Sequence, residues 1–319
     1  MDYNIELYEI IKKARPNLKE SSIKAYITNL NKLAKDAGIK KINNLIFLQH
    51  GGNIMRILDE KKLSTKKNYL STIVVILKAT DAKQNLIDFY SDLMIKYSEE
   101  QSEQINKNEK SDKQNENWIS LPELQKIIND KGKEINRLRL WTKKKLTPSE
   151  FNEIQKYVVG MLYIGDDKNP PLRSNYADME IICNNDFSKL DEKELKKNYL
   201  VKESPRKYYF HLGDYKTNGI YGNKKIAVGY KLLNVLKKWL EVNETGYLLV
   251  NNRKKAMNAN SLSKYMNTVF QETGKKIGIS LLRHIYISHH FPPEEQEKKE
   301  EIAELMTHSV SMQNQYSKK

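Results

Sequence analysis

The 319-residue chain reads as a mainly α-helical protein with a small antiparallel β-sheet, an α+β class, arranged as two domains. Three observations carry that reading. Apolar residues recur at spacings of three and four through most of the chain, the mark of amphipathic helices. One stretch, 207–230, has the β-branched and aromatic content, broken by Gly219 and Gly222, of a strand–turn–strand unit. Between two helical halves, residues 99–117 hold a single apolar residue and many charges, too little to bury a core. The expected layout is a helical domain at 1–98, a charged linker at 99–117 and a larger domain at 118–319.

Composition narrows the class. With 39% hydrophobic and 30% charged residues the chain is globular, on the polar side. Its 55 Lys and Arg against 40 Asp and Glu give a net charge of +15. A polyanionic partner accounts for this simply, because neutralising phosphates releases counterions. A Lys- and Asn-rich composition inherited from an AT-rich genome is the alternative source. No Lys-rich amphipathic segment favours a membrane surface. The single cysteine, Cys183 in MEIIC, excludes a disulfide framework and any Cys-based zinc site. It is expected to be a small buried core residue in a reducing compartment. The opening MDYNIELYEI lacks a basic region followed by an apolar one, so no signal peptide is expected. No run approaches the length of a membrane span. An intracellular protein is therefore expected.

In the first domain, residues 6–14 form a short amphipathic helix stopped before Pro16. Ser21 or Ser22 caps the next, with Ile23, Tyr26, Ile27, Leu30 and Leu33 on its apolar face and Gly38 as its stop. Further helices run through 53–61, from Ser64 and Thr65 onward, and from 85 to 100. Such short helices make a compact bundle. Lys24, Lys66, Lys67 and Lys78 are candidate phosphate contacts, or simply solvated helix faces.

In the second domain, Ser120 with Pro122 and Thr147 with Pro148 each announce a helix start. The helix from Thr147 has a core face of Phe151, Ile154, Val158, Met161 and Leu162. The turn NPPLRSNYAD places Arg173 directly after it, and a short apolar strand or helix follows. The strand pair 207–217 and 224–230 comes next, then an amphipathic helix with Leu232, Leu233, Leu236 and Leu240 inward. Asn260 and Ser261 cap a further helix. SLLRHIYISHHF follows, where Leu282, Ile285 and Tyr286 face the core and Arg283 projects from another side. His289 and His290 are adjacent and share no helix face, so no metal site is read from them.

The end of the chain brings together an arginine, an imidazole and a phenol: Ser280-Leu-Leu-Arg283, then Met306-Thr307-His308, then Tyr316. This set resembles the tyrosine recombinases, or phage-type integrases. That family closes its catalytic domain with a histidine-x-x-arginine helix, a leucine-glycine-histidine turn and a tyrosine. The resemblance implies a DNA-breaking-rejoining catalytic fold at 118–319 and a core-binding domain at 1–98, the two clamping a duplex. It implies Tyr316 as the nucleophile forming a 3′-phosphotyrosyl bond. Arg173 and Arg283 would stabilise the phosphorane, and Lys216 would protonate the 5′-oxygen. His308 would donate to the phosphate or help to take the tyrosine proton. Lys224 and Lys225 are rivals of Lys216 and candidate DNA contacts. No metal or other cofactor is implied, and the partners are double-stranded DNA and further copies of the chain, as a dimer or tetramer on DNA.

Three departures stand out. Ser280 occupies the usual histidine position, the turn before Tyr316 is a residue shorter than usual, and Tyr176 stands where an acidic residue commonly follows the first arginine. Asp178, two residues on, is the nearest auxiliary carboxylate. The expected activity is site-specific recombination or integration for a viral or mobile element. The alternatives are a type IB topoisomerase, which the short tail after Tyr316 favours, and a DNA-binding relative impaired in catalysis. A metal-dependent integrase would need three convergent carboxylates, and no spacing points to them.

Overall fold

The computed structural model describes residues 3–106, 110–166, 168–291, 302–307, 309 and 312. His308 and Tyr316 lie outside the described residues. The chain separates into two compact units, Met1–Lys107 and Asn108–Lys319.

The first unit is a bundle of α1 (Tyr3–Ala14), α2 (Glu20–Asp36), α3 (Gly51–Asp59), α4 (Leu63–Ala79) and α5 (Gln84–Asn106). Helix α4 is its centre, with Leu70, Ile73 and Ile76 fully buried against Leu7, Leu30 and Leu58 of its neighbours. Gly38 ends α2 with φ at +81°, and the Ile39 amide returns to the Ala34 carbonyl at 2.8 Å. The N-cap of α2 is Lys19, with no side-chain cap, so Ser21 and Ser22 sit inside the first turn instead. The charged segment after residue 98 continues as the last turns of α5 and resumes as α6 (Asp112–Asn117).

The second unit continues through α7 (Leu121–Arg137) and α8 (Pro148–Ile164). Both carry capping boxes, Ser120 with Glu123 and Thr147 with Glu150. From Ile154 to Ile164 every residue of α8 except the half-buried Tyr157 is buried, on all faces rather than on one. It is the axis of the unit. Then follow β1 (Glu180–Cys183), α9 (Asn184–Phe187), β2 (Asn198–Ser204), β3 (Lys207–Leu212), α10 (Asn218–Tyr221) and β4 (Lys224–Ala227). The chain goes on through α11 (Tyr230–Val242), α12 (Ala259–Val269), α13 (Ile279–His290) and a helical turn at 302–305.

The sheet corrects the expectation of a small antiparallel one. It has four strands in the order β1-β2-β3-β4, and β1 pairs with β2 in parallel. In register, Leu200, Phe210 and Ile226 form one row that joins the main core. Tyr199, Val201 and Tyr209 form a smaller cluster on the opposite face with Phe187. Cys183 ends an edge strand and is exposed rather than buried. Helix α12 is capped by Asn258, whose side chain accepts from the Ser261 amide at 2.9 Å, two residues before the expected cap.

Helices α7 and α8 meet at Gly160, where an added Cβ would overlap the buried Ile128 side chain. Gly160→Ala is expected to destabilise the second unit by about 1–3 kcal/mol through overpacking. Gly52 of α3 has open space around it. Gly52→Ala should stabilise the first unit by roughly 0.5–1 kcal/mol by removing unfolded-state freedom. Denaturant midpoints of the two variants, moving in opposite directions, check both.

Candidate active site

Three segments far apart in the chain meet at the carbonyl oxygen of Thr307. The Arg173 guanidinium donates to it from Nη1 at 3.2 Å, and the Thr217 hydroxyl donates to it at 2.8 Å. Arg173 comes from the turn after α8, Thr217 from the β3–β4 connection, and Thr307 from the residues that follow the 302–305 turn. Met306, fully buried in the main core, anchors that last segment. A fourth element joins through Tyr163 of α8, whose hydroxyl donates to the Arg173 carbonyl at 2.8 Å.

Arg283 of α13 belongs to the same neighbourhood. It is only 1% exposed, which corrects the expectation that it projects away from the core. Its cation acts on Tyr163: burial pushes that phenol well above the ordinary 10.0, the neighbouring Tyr176 pushes it further, and Arg283 pulls it back. The two arginines, 110 positions apart in sequence, thus share one buried tyrosine as neighbour. Tyr163 and Tyr176 stack edge to face at 5.3 Å, and Tyr176 donates to the Leu162 carbonyl at 3.2 Å. The residue in the acidic position is therefore a core aromatic.

A buried amide ties the turn to the β3–β4 connection. Asn198, the first residue of β2, donates to the carbonyls of Asn175 (3.2 Å) and Asp214 (2.9 Å). Its oxygen accepts from the amides of Gly213 (3.0 Å) and Asp214 (2.9 Å). All of its hydrogen-bonding capacity holds residues two positions from Arg173 and from Lys216. Asp166 fixes the other end of the turn, accepting from the Leu232 amide in the first turn of α11 at 3.3 Å.

The remaining candidates fall at different places. Lys216 is exposed on the β3–β4 connection, beyond the end of β3 rather than within a strand. Lys224 reaches the 302–305 turn, pairing with Glu304 at 2.9 Å. Lys225 points elsewhere, to Glu203 at 3.2 Å and over the Tyr209 ring. Ser280 is exposed in the first turn of α13, three residues before Arg283 and so on a neighbouring position of the helix surface. Asp178 is exposed in left-handed backbone, φ +52°, its amide bonded to the Met257 carbonyl. Among the described residues no hydrogen bond or ion pair joins it to Arg173. In the first unit Lys24 is exposed beside Glu20, Lys66 lies over the Tyr97 ring near Asp59, and Lys67 is half-buried on α4.

Asn198, Tyr163 and Thr217 escape sequence reasoning, and Thr307 enters it only as the middle residue of the Met306-Thr307-His308 turn. Thr217 is adjacent to Lys216, but a threonine beside a lysine carries no signal. Asn198 opens a strand of mixed polarity and is legible only through its four hydrogen bonds.

No family model and no curated protein matches the chain. Among solved structures it is similar to a XerA recombinase. The match covers 99% of this chain and 93% of that one, at 12% identity and a TM-score of 0.40.

Thr307 is a β-branched residue in left-handed backbone, φ +59°, and its own hydroxyl is buried with no hydrogen-bond partner among the described residues. Thr307→Gly keeps the carbonyl that Arg173 and Thr217 hold. It removes roughly 1–2 kcal/mol of backbone strain and about 1–3 kcal/mol of unmet polarity. The lost methyl and the glycine's extra chain entropy offset about half of that. A net gain of about 1 kcal/mol is expected, read as slower hydrogen exchange at the Met306 amide.

Burial raises the phenols of Tyr163 and Tyr176 above the ordinary 10.0. The folded unit therefore keeps protons that the unfolded chain releases once pH passes 10.0. Stability contributed by these groups is complete below that pH and is lost above it. Denaturant midpoints of the second unit should fall as pH rises past 10, and less steeply in Tyr176→Phe.

Proposed function

We propose that the chain cuts and rejoins duplex DNA by tyrosine transesterification, as a site-specific recombinase. The observation that carries the reading is the meeting at Thr307. Arg173, Thr217 of the β3–β4 connection and the segment that precedes His308 converge there, Lys224 of β4 pairs with Glu304 of that segment, and Arg283 is buried where its charge acts on Tyr163. The resemblance asks for these residues in one place, and they come from four separate stretches of sequence. The left-handed backbone at Thr307 adds support, because this is the position that the family gives to glycine.

In this reading a phosphodiester meets the Arg173 guanidinium, which exchanges its Thr307 contact for the non-bridging oxygens. Arg283, held in a water-poor setting, stabilises charge that builds on the phosphorane more strongly than a surface arginine would. Ser280 donates a hydroxyl hydrogen bond from the first turn of α13. Tyr316 attacks the phosphorus and the 3′-phosphotyrosyl bond forms. The 5′-oxygen leaves with a proton from Lys216, and His308 assists at the phosphate or takes the tyrosine proton. Lys224 is the alternative acid, since its pairing with Glu304 brings it to the same segment. The covalent bond conserves the energy of the phosphodiester, so rejoining by a 5′-hydroxyl reverses the step. The net charge of +15 suits the long-range capture of DNA. Exchange between two duplexes would employ two or four copies, in a cell or for a viral or mobile element.

Covalent trapping tests this. Nicked duplex fragments incubated with the protein in EDTA and then denatured should yield protein-linked DNA, and Tyr316→Phe should yield none. Arg283→Ala should lower adduct formation by about a hundredfold or more, the scale of losing a group that stabilises transition-state charge. Adducts at scattered sites together with supercoil relaxation would instead mark a topoisomerase. Tight binding without adducts would mark a relative that only binds DNA.

A further inference from the structure

The β3–β4 connection carries an apolar tip. Ile220 is 77% exposed, and Tyr221 beside it is 44% exposed, both on the single turn of α10. Among the described residues little covers Ile220, and hydrogen bonds on both sides of the tip hold the loop that carries it. Tyr215 is buried and donates from its hydroxyl to the Gly222 carbonyl at 2.5 Å. The side chains of Asn218 and Asn223 meet at 3.0 Å, and Asn198 grips Gly213 and Asp214 at the base. A mobile loop could fold such a side chain back toward the core. This one is fastened on both sides of its tip.

The setting of the tip narrows what it meets. Thr217 and Lys224, on either side of α10, both bond to the segment at 304–307 that also holds Arg173. Lys216 is exposed just before the tip, and Lys224 lies 5.3 Å from the Tyr221 ring centre. From Asn198 to Ala227 there are six Lys and Arg against two Asp and Glu. Gly219 is exposed with open space where a Cβ would stand, so the backbone can approach a surface closely. An aliphatic point flanked by cations and a bare backbone matches a surface with an apolar interior between two anionic edges. A stacked base step between phosphate strands is such a surface, and apolar side chains that enter it unstack and kink the duplex.

Resting on the reading of the chain as a DNA-cleaving protein, we propose that Ile220 is a wedge that enters a base step of the duplex beside the phosphate held by Arg173. Tyr221 packs against the sugar edge, and Lys216, exposed just before the tip, stays at the 5′-oxygen of the phosphate held by Arg173. Unstacking there loosens the backbone next to the bond that must turn in line with its attacker.

Duplex oligonucleotides carrying 2-aminopurine at successive steps, mixed with the full-length protein at low salt, test the proposal. The fluorescence of 2-aminopurine rises when its base unstacks. The wild-type protein and Ile220→Leu should raise it at one or two adjacent steps. Ile220→Ser should abolish the rise while affinity stays within about threefold, because phosphate contacts carry most of the binding. Thermal melting should place Ile220→Ser at the wild-type midpoint, as expected for so exposed a position. Binding without any fluorescence change in the wild type, or an undiminished change in Ile220→Ser, overturns the wedge and leaves the DNA reading standing. Failure of the wild type to bind duplex overturns both. An association of the wild-type protein in sedimentation without DNA, lost in Ile220→Ser, would make the tip a contact between protein copies and also overturns it.

Discussion

The carbonyl of Thr307 is the knot of the second unit. It has two lone pairs and uses both, one for a guanidinium and one for a hydroxyl. Each bond alone is modest, since folding exchanges water partners for protein ones. Together they hold a segment that only a few apolar residues, chiefly Ala303 and Met306, anchor to the core. Two charge-bearing groups also contribute, through the pairing of Lys224 with Glu304. The left-handed backbone at Thr307 is tolerated because these contacts over-determine it.

Around that knot the protein surrounds charge with aromatic packing. Tyr163, Tyr176 and Phe210 form a chain of edge-to-face contacts from α8 to β3. The hydroxyls of both tyrosines donate to carbonyls at the end of α8 and in the turn beyond it. This satisfies backbone groups that would otherwise be stranded as the helix gives way to the turn. Arg283 is buried close enough to act on the Tyr163 phenol, in a setting where a low dielectric makes any charge it meets count for more. Position is thereby set by apolar contact and buried hydrogen bonds.

The parts of the molecule that were legible in advance share one property: their signal is local. Ser120 with Pro122, and Thr147 with Pro148, announce helices because a cap and its helix lie within four residues of each other. Helix α8, the strands β3 and β4, and the stop at Gly38 follow from periodicity and backbone preference in the same way. Misreadings arose where a residue's fate depends on a distant partner. Cys183 sits in an apolar run yet ends an edge strand, so it is exposed. Strand β2, which the sequence did not announce because of its mixed polarity, gains its place by pairing with β1 on one side and β3 on the other. Arg283 looked like the polar side of a helix, and only the packing of α13 against the core turned that side inward.

The sequence by itself determined the helical character of both halves, the excess of positive charge, and the order of arginine, lysine, arginine, histidine and tyrosine. These are properties of composition and of neighbours along the chain. The tertiary structure alone decided that Arg173 and Arg283 share Tyr163, that Asn198 locks a turn to a loop, and that Ile220 stands in water. Each depends on contacts between residues far apart in the chain, and a hydrogen bond or an exposed side chain exists only once both surfaces have been folded into place.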